Sequence, residues 1–333
     1  MRHLNFEDRY FIEKALKKKM SVKDIAETLG FSKVSIYAEI KKGTVTQLDR
    51  FLKPYRVYLA DSGQRIHDVA MSGTGRPCKL QPDDPYLQTV KDWIVEKRYS
   101  PWAARVKIGM NMVCEKTIYN YIHKKYIPGL TVNHLPYAVD RKKKKEKVVK
   151  RVYRIRGKSI EERPAEVLDR DSFGHWEMDT VYGARGDRAC LLVLSERMSR
   201  QELVVKVPDR TSSSILFGLS RIEKKLGVKR FRNIFKTITC DNGVEFSDST
   251  GIETSCRSRR QRTDLFFCHP YSSWERGTNE NINRMIRRWV PKGDDFGLYS
   301  DSEIQDIQNW INDYPRKIFG GLSSNEYLQS LRC

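Results

Sequence analysis

No stretch of this 333-residue chain approaches the ~18–20 consecutive apolar residues of a membrane-spanning helix, which excludes a helical membrane protein. The first residues, Met1-Arg2-His3-Leu4-Asn5-Phe6-Glu7, lack the apolar core of a signal peptide. The expectation is a cytoplasmic protein, or a nuclear one in a eukaryotic host. Cys-x-x-Cys pairs are missing too. The seven cysteines (78, 114, 190, 240, 256, 268 and 333) are scattered and odd in number, so a structural zinc site has no support and reduced thiols are expected. Acidic residues are scarce in one half only. Residues 1–160 hold 35 Lys/Arg against 16 Asp/Glu, a balance of +19, whereas residues 161–333 hold 27 against 26, or +1. Nearly all the net charge of +20 therefore lies in front and calls for a polyanionic partner there. The length suggests two or three domains, and 39% hydrophobic residues suffice for packed cores.

Residues 6–41 read as three short helices. Phe6, Tyr10, Ile12, Ala15 and Leu16 give the first an apolar stripe. Ser21 is a candidate N-cap for the second, Val22–Leu29, with Asp24 placed to support the cap, and Gly30 supplies a turn where positive φ costs little. Ser32 caps the third. A small residue (Ala26), a turn glycine (Gly30) and a branched apolar residue (Ile36) at this spacing fit a helix-turn-helix, whose second helix would offer Lys33, Val34, Ser35 and Tyr37 to a major groove. A three-helix unit that binds no DNA is the alternative, and the charge weighs against it. This domain is placed at 1–45, followed at 46–83 by a connecting helix (Pro54–Ala70) and a glycine-rich arm, Ser72–Pro77.

A second helix-turn-helix-like domain is placed at 84–135. Leu87, Val90, Trp93 and Ile94 form a stripe, Ser100-Pro101 starts a second helix, and Glu115–His123 reads as a recognition helix with Lys116, Thr117 and Asn120 available to DNA. Residues 136–172 form a basic linker containing Arg141-Lys142-Lys143-Lys144-Lys145.

From residue 173 to 333 the pattern changes. His175–Tyr182, Ala189–Ser195 and Gln201–Val207 read as meandering strands, Thr211–Leu226 as a helix, and Lys236–Cys240 as a further strand. That order is the order of an α/β ribonuclease-H-like domain, with the last strand parallel to one of the first three. Asp179 then falls in the first strand and Asp241 at the end of the later one. Two carboxylates converging at neutral pH need cations, and paired divalent metals are their usual use. For a third acid there are two candidates. Glu275 falls in a turn-rich segment. Glu280 opens a helix, Asn279–Trp289, with Asn283, Arg284 and Arg287 on the same face, a combination suited to metals and DNA phosphates together. Glu280 is preferred.

The segments Gly174–Asp179 (Gly-His-Trp-Glu-Met-Asp), Asp241–Phe246 (Asp-Asn-Gly-Val-Glu-Phe) and His269–Asn283 resemble bacterial insertion-sequence transposases of the IS-thirty family. They also resemble, more distantly, retroviral integrases. The likeness runs over nearly the whole chain. It implies a DDE transposase that binds the terminal inverted repeats of its element, cleaves 3′ ends with water and joins the freed 3′-OH to target DNA. Asp179, Asp241 and Glu280 would be the catalytic, metal-holding triad, with two Mg²⁺ ions or Mn²⁺ in their place. It further implies at least a dimer on double-stranded DNA, in a bacterial cytoplasm, associated with the nucleoid. One departure stands out: the family usually has 33 residues between the second Asp and the Glu, whereas 38 precede Glu280 here. A short insertion within Thr250–Arg262 accounts for it. The alternative from another class is an inactive, transposase-derived repressor that binds DNA without cutting it.

Overall fold

The computed structural model describes residues 3–72, 77–110, 112–136, 157–183, 188–270, 272, 275 and 277–331. The glycine-rich arm at 73–76 and most of the basic linker, 137–156, lie outside them. The chain divides into two compact units, Met1–Lys79 and Leu80–Cys333. Among the described residues no helix is long and apolar enough to cross a membrane.

In the first unit, α1 (Phe6–Lys17) begins at a reciprocal cap: Asp8 N donates to Asn5 Oδ1 at 2.8 Å and Asn5 N to Asp8 Oδ2 at 3.0 Å. Ser21 accepts from Asp24 N to start α2 (Val22–Leu29), and Gly30 ends that helix at φ +68°. Ser32 accepts from Ser35 N to start α3 (Lys33–Gly43). Ile12, Ala15, Ile25, Ala26 and Ile36 meet in one small core. Arg9 and Glu39, both buried, pair across it at 2.8 Å.

The segment after α3 differs from the sequence reading. Pro54–Tyr58 is not the start of a helix. It is a strand, β2, paired antiparallel with β1 (Thr44–Leu48) from Thr44 opposite Tyr58 to Leu48 opposite Pro54. Asp49 Oδ1 accepts from the amides of Phe51 and Lys53 and so builds the hairpin turn. Tyr55, Val57 and Tyr58 are strand formers, and Pro54 tolerates a strand end. Only from Ala60 does the chain become helical, as α4 (Ala60–Ser72), with Ala60 N donating to Glu13 Oε2 at 2.8 Å. α4 packs on α1 and α3, so it completes this unit rather than leaving it.

The second unit opens with α5 (Pro85–Val95), α6 (Pro101–Ile108) and α7 (Glu115–His123). Gly109, at φ +73°, ends α6 and supplies the turn whose signature the sequence obscured. Two short elements, β3 (Lys158–Ser159) and α8 (Glu166–Asp169), lead into the sheet. β4 (His175–Tyr182), β5 (Cys190–Glu196) and β6 (Glu202–Val207) form an antiparallel meander. α9 (Ser212–Leu226) and α10 (Val228–Ile234) cross over to β7 (Thr237–Cys240). After α11 (Ser249–Glu253) comes β8 (Asp264–Phe267). The sheet order is β3-β8-β7-β4-β5-β6, with β7 parallel to β4 and β8 parallel to β7. A three-stranded meander extended on the far side of its first strand by parallel strands is the ribonuclease-H-like arrangement. The fold is multidomain: a helix-turn-helix front and an α/β ribonuclease-H-like core.

Alternation along β4 decides what faces where. Trp176 and Met178 join the core under α9, and Val181 joins the opposite one, under α12 (Gly277–Ile286) and α13 (Asp301–Asn312). Asp179 is therefore on the α12 side. α13 covers the edge of the sheet with its polar side chains: Gln308 Oε1 accepts from Val204 N and Asn312 Oδ1 from Glu202 N, each at 2.8 Å. A short helix, α14 (Ser324–Ser330), completes the described chain. Leu87, Val90, Ile94 and Ile118 share one core with Val193, Ile282 and Ile304, so α5–α7 are built into this unit. Tyr99 stacks on Tyr314 at 4.9 Å, and Trp310 Nε1 donates to Lys97 O at 2.8 Å across the same seam.

Candidate active site

Parallel pairing of β4 with β7 sets His175 opposite Thr237, Trp176 opposite Ile238 and Glu177 opposite Thr239. The same offset of 62 residues carried forward puts Asp179 level with Asp241, which follows the last residue of β7. Each acid is oriented locally. Thr180 N donates to Asp179 Oδ1 and Gly243 N to Asp241 Oδ1, both at 2.9 Å. Asn242 anchors the Asp241 turn, its Nδ2 donating to Cys268 O at 2.7 Å just beyond β8.

α12 closes the site from the other face. Asn283 Nδ2 donates to Asp179 Oδ2 at 3.0 Å. Glu280, one turn earlier, does not join the two aspartates: its carboxylate accepts from Arg284, and its side chain is 74% exposed. Among the described residues no three His, Cys, Asp or Glu side chains are gathered as metal ligands. Glu275 has a different occupation. Its Oε2 accepts from His269 N at 2.9 Å and its Oε1 lies 2.7 Å from His269 Nδ1, clasping the loop after β8. That hydrogen bond, with the neighbouring Glu161, raises the His269 pKa above its ordinary value.

Beside α12 opens a cavity of about 700 Å³ whose lining includes Arg98, His134, Glu280, Asn283, Arg284 and Arg287. With Arg288, four guanidinium groups against one carboxylate suit a polyanion. The contribution of the segment after α7, His134 among it, was invisible in sequence because it depends on how α5–α7 pack. Glu245 was missed as well. It sits in the Asp-Asn-Gly-Val-Glu-Phe segment, 2% exposed, bonded by Thr180 Oγ1 at 3.0 Å and Arg210 Nε at 2.7 Å. A carboxylate four residues past Asp241 was the available signal.

The remaining sequence candidates are on helix surfaces. Lys33 and Ser35 are exposed on α3 and Tyr37 is 61% exposed; Ser35 Oγ also lies 2.8 Å from Ser32 Oγ. On α7, Lys116 and Asn120 are exposed, while Thr117 is partly buried with its hydroxyl 3.2 Å from Cys114 Sγ.

A helix-turn-helix domain family matches residues 1–43. The transposase for insertion sequence element IS4351 of Bacteroides fragilis is 30% identical, over 99% of this chain and 96% of that protein. The transposase for IS1086 of Cupriavidus metallidurans is 30% identical, over 93% of this chain and 89% of that one. Transposase InsI for IS30A of Escherichia coli is 28% identical, over 95% and 80%. Among solved structures, the catalytic core domain of BIV integrase matches 48% of this chain and 97% of its own, at 16% identity and a TM-score of 0.35.

Proposed function

Because the chain belongs to the insertion-sequence transposases that include the IS30 proteins, we propose that it acts on the terminal inverted repeats of its own element. It cleaves their 3′ ends and transfers the freed 3′-OH to target DNA. The observation that carries this reading is the register of β4 and β7, which sets Asp179 level with Asp241, with Asn283 of α12 bonded to Asp179.

The three acids offer carboxylate oxygens, the donors a hard divalent cation takes. Asp179, Asp241 and Glu280 would hold two Mg²⁺ ions, or Mn²⁺ in their place. Such ions would supply the charge that activates water and steadies the leaving oxygen. Asn283 donates to Asp179 Oδ2, and Asn242 anchors the turn that presents Asp241. Glu280 must leave Arg284 to join them. An exposed i,i+4 pair contributes only ~0.3–0.5 kcal/mol, so that turn costs little. Arg284, once free, and Arg98 and Arg287 of the same cavity then bind backbone phosphates. Lys33, Ser35 and Tyr37 of α3 read duplex sequence, with Lys116, Thr117 and Asn120 of α7 as a second contact. Processing two ends together requires at least two copies of the chain on DNA.

The test is duplex DNA bearing the terminal repeats, incubated with the full chain and Mg²⁺ or Mn²⁺, with nicked and joined products resolved on a gel. Metal-dependent 3′ nicking that disappears in Asp179→Asn and Asp241→Asn supports the reading. Specific binding with no cleavage in either metal would replace it with a DNA-binding repressor.

A further inference from the structure

Glu245 is 2% exposed, and burying a carboxylate is costly unless its oxygens are bonded and its charge is balanced. Oε1 meets both conditions. Thr180 Oγ1 donates to it at 3.0 Å and Arg210 Nε at 2.7 Å. Thr180 directly follows Asp179 and Glu245 lies four residues after Asp241, so one carboxylate joins the strand carrying the first acid to the loop carrying the second.

The other oxygen has no such account. Oε2 is buried and accepts no hydrogen bond from any described residue. It lies against Gly243, whose missing side chain lets Glu245 and Asp241 come close together. A Cβ added there would lie 2.5 Å from Glu245 Oε2 and 2.9 Å from Asp241 Oδ1, so the two oxygens are at most 5.4 Å apart, the sum of those distances. One water donating two hydrogen bonds of ~2.7–2.8 Å spans roughly 4.4 Å, within that limit. A donor that suits two such carboxylates is a water polarised by a cation.

We propose that Glu245 is a fourth acidic member of the site, a positioning residue whose Oε2 accepts a hydrogen bond from the hydration shell of a divalent cation held at Asp241. The proposal rests on the Asp179–Asp241 pair being the metal site. Outer-shell acceptors of this kind are typically worth 10–100-fold in metal affinity. They also hold the metal's water in one orientation.

The experiment titrates Mn²⁺ alone into the full chain and reads free Mn²⁺ by electron paramagnetic resonance, with metal-free thermal melts alongside. Asp241→Asn is expected to lose the site. Glu245→Gln, which keeps the shape and removes the charge, is expected to weaken it about tenfold or more while retaining a cooperative melt. Wild-type affinity in Glu245→Gln, with the site lost in Asp241→Asn, overturns the proposal and leaves Glu245 as a structural partner of Arg210. Wild-type affinity in Asp241→Asn overturns the metal-site reading and this proposal with it. If Glu245→Gln does not fold, Thr180→Val takes its place, since it removes one of the two donors to Oε1 without touching the charge. A several-fold loss of Mn²⁺ affinity then supports the proposal, and unchanged affinity overturns it.

Discussion

Asn283 Nδ2 donates to Asp179 Oδ2 at 3.0 Å, across 104 positions of sequence. This contact ties α12 to the central strand at the acid itself. It leaves Asp179 Oδ1 bonded to Thr180 N, so both oxygens of one carboxylate are directed by protein groups. Since Glu280 is on the same helix, Asn283 also sets how far that acid is from the aspartates.

Replacing Asn283 with Ala is therefore expected to lower the rate of 3′ nicking by about 10–100-fold, the usual effect of losing a group that orients a metal ligand. Affinity for repeat DNA, measured by fluorescence anisotropy, is expected to stay near wild type, because the arginines proposed to bind phosphates are untouched. An equal fall in affinity and rate would instead make Asn283 a DNA contact.

The two candidate glutamates are separated by what already occupies them. Glu275 has both oxygens committed to His269, whereas among the described residues Glu280 is held by an exposed arginine one turn away. Glu280→Gln should reduce nicking by about 10²-fold or more, in line with loss of a group acting directly on the transition state. Glu275→Gln should stay within about threefold. The reverse ranking in a single-turnover assay would restore the regular family spacing and remove the insertion argument.

Much of this was readable in advance wherever the signal is local. Ser21, Gly30 and Ser32 mark their helix ends because capping and positive φ depend on immediate neighbours. The meander was legible from three runs of strand-forming residues joined by short connections rich in glycine or charge, and its link to β7 from the helix between them. What escaped was set by distant partners. Tyr55-Arg56-Val57-Tyr58 ran into the helical Ala60–Ser72 without a break in composition, and only pairing with Thr44–Leu48 reveals a strand. β8 is a short buried run, Leu265-Phe266-Phe267, whose identity comes from β7 beside it. Glu245 looks like one more acid in a turn until Thr180, 65 residues earlier, is seen bonded to it.

His269 offers a pH-dependent test of the loop. Its pKa is raised, first by the hydrogen bond to Glu275 and then by charge attraction from Glu275 and Glu161, with desolvation opposing. A histidine whose folded pKa is raised holds its clasp fully below the ordinary value of ~6.5 and loses it as pH rises through the raised one. Histidine titration by NMR should give a His269 midpoint above ~6.5, and Glu275→Gln should return it toward that value. A midpoint unmoved by the substitution would mean that the clasp does not persist in solution.

In the first unit, Arg9 and Glu39 are a buried pair, with side chains 2% and 6% exposed. Removing one partner strands the other. Arg9→Met is expected to destabilise the helix-turn-helix unit by ~3–5 kcal/mol, and Arg9→Met with Glu39→Leu to recover most of that loss. Urea unfolding followed by the loss of repeat-DNA binding would report both. A double variant no better than the single would show that the pair itself, rather than a stranded charge, supports the fold.

Gly243 isolates the geometry of the site from the strain of the chain. Its backbone, at φ −59° and ψ 147°, is open to any residue, so alanine there costs nothing in conformation. The added Cβ would nonetheless stand 2.5 Å from Glu245 Oε2 and 2.9 Å from Asp241 Oδ1, inside contact distance of both. One of the two carboxylates must move. Gly243→Ala should therefore melt within a few degrees of wild type, yet lose Mn²⁺ affinity by about tenfold or more and nicking with it. If the variant binds Mn²⁺ normally, Glu245 Oε2 and Asp241 Oδ1 do not share the metal's surroundings, because the added Cβ presses on both.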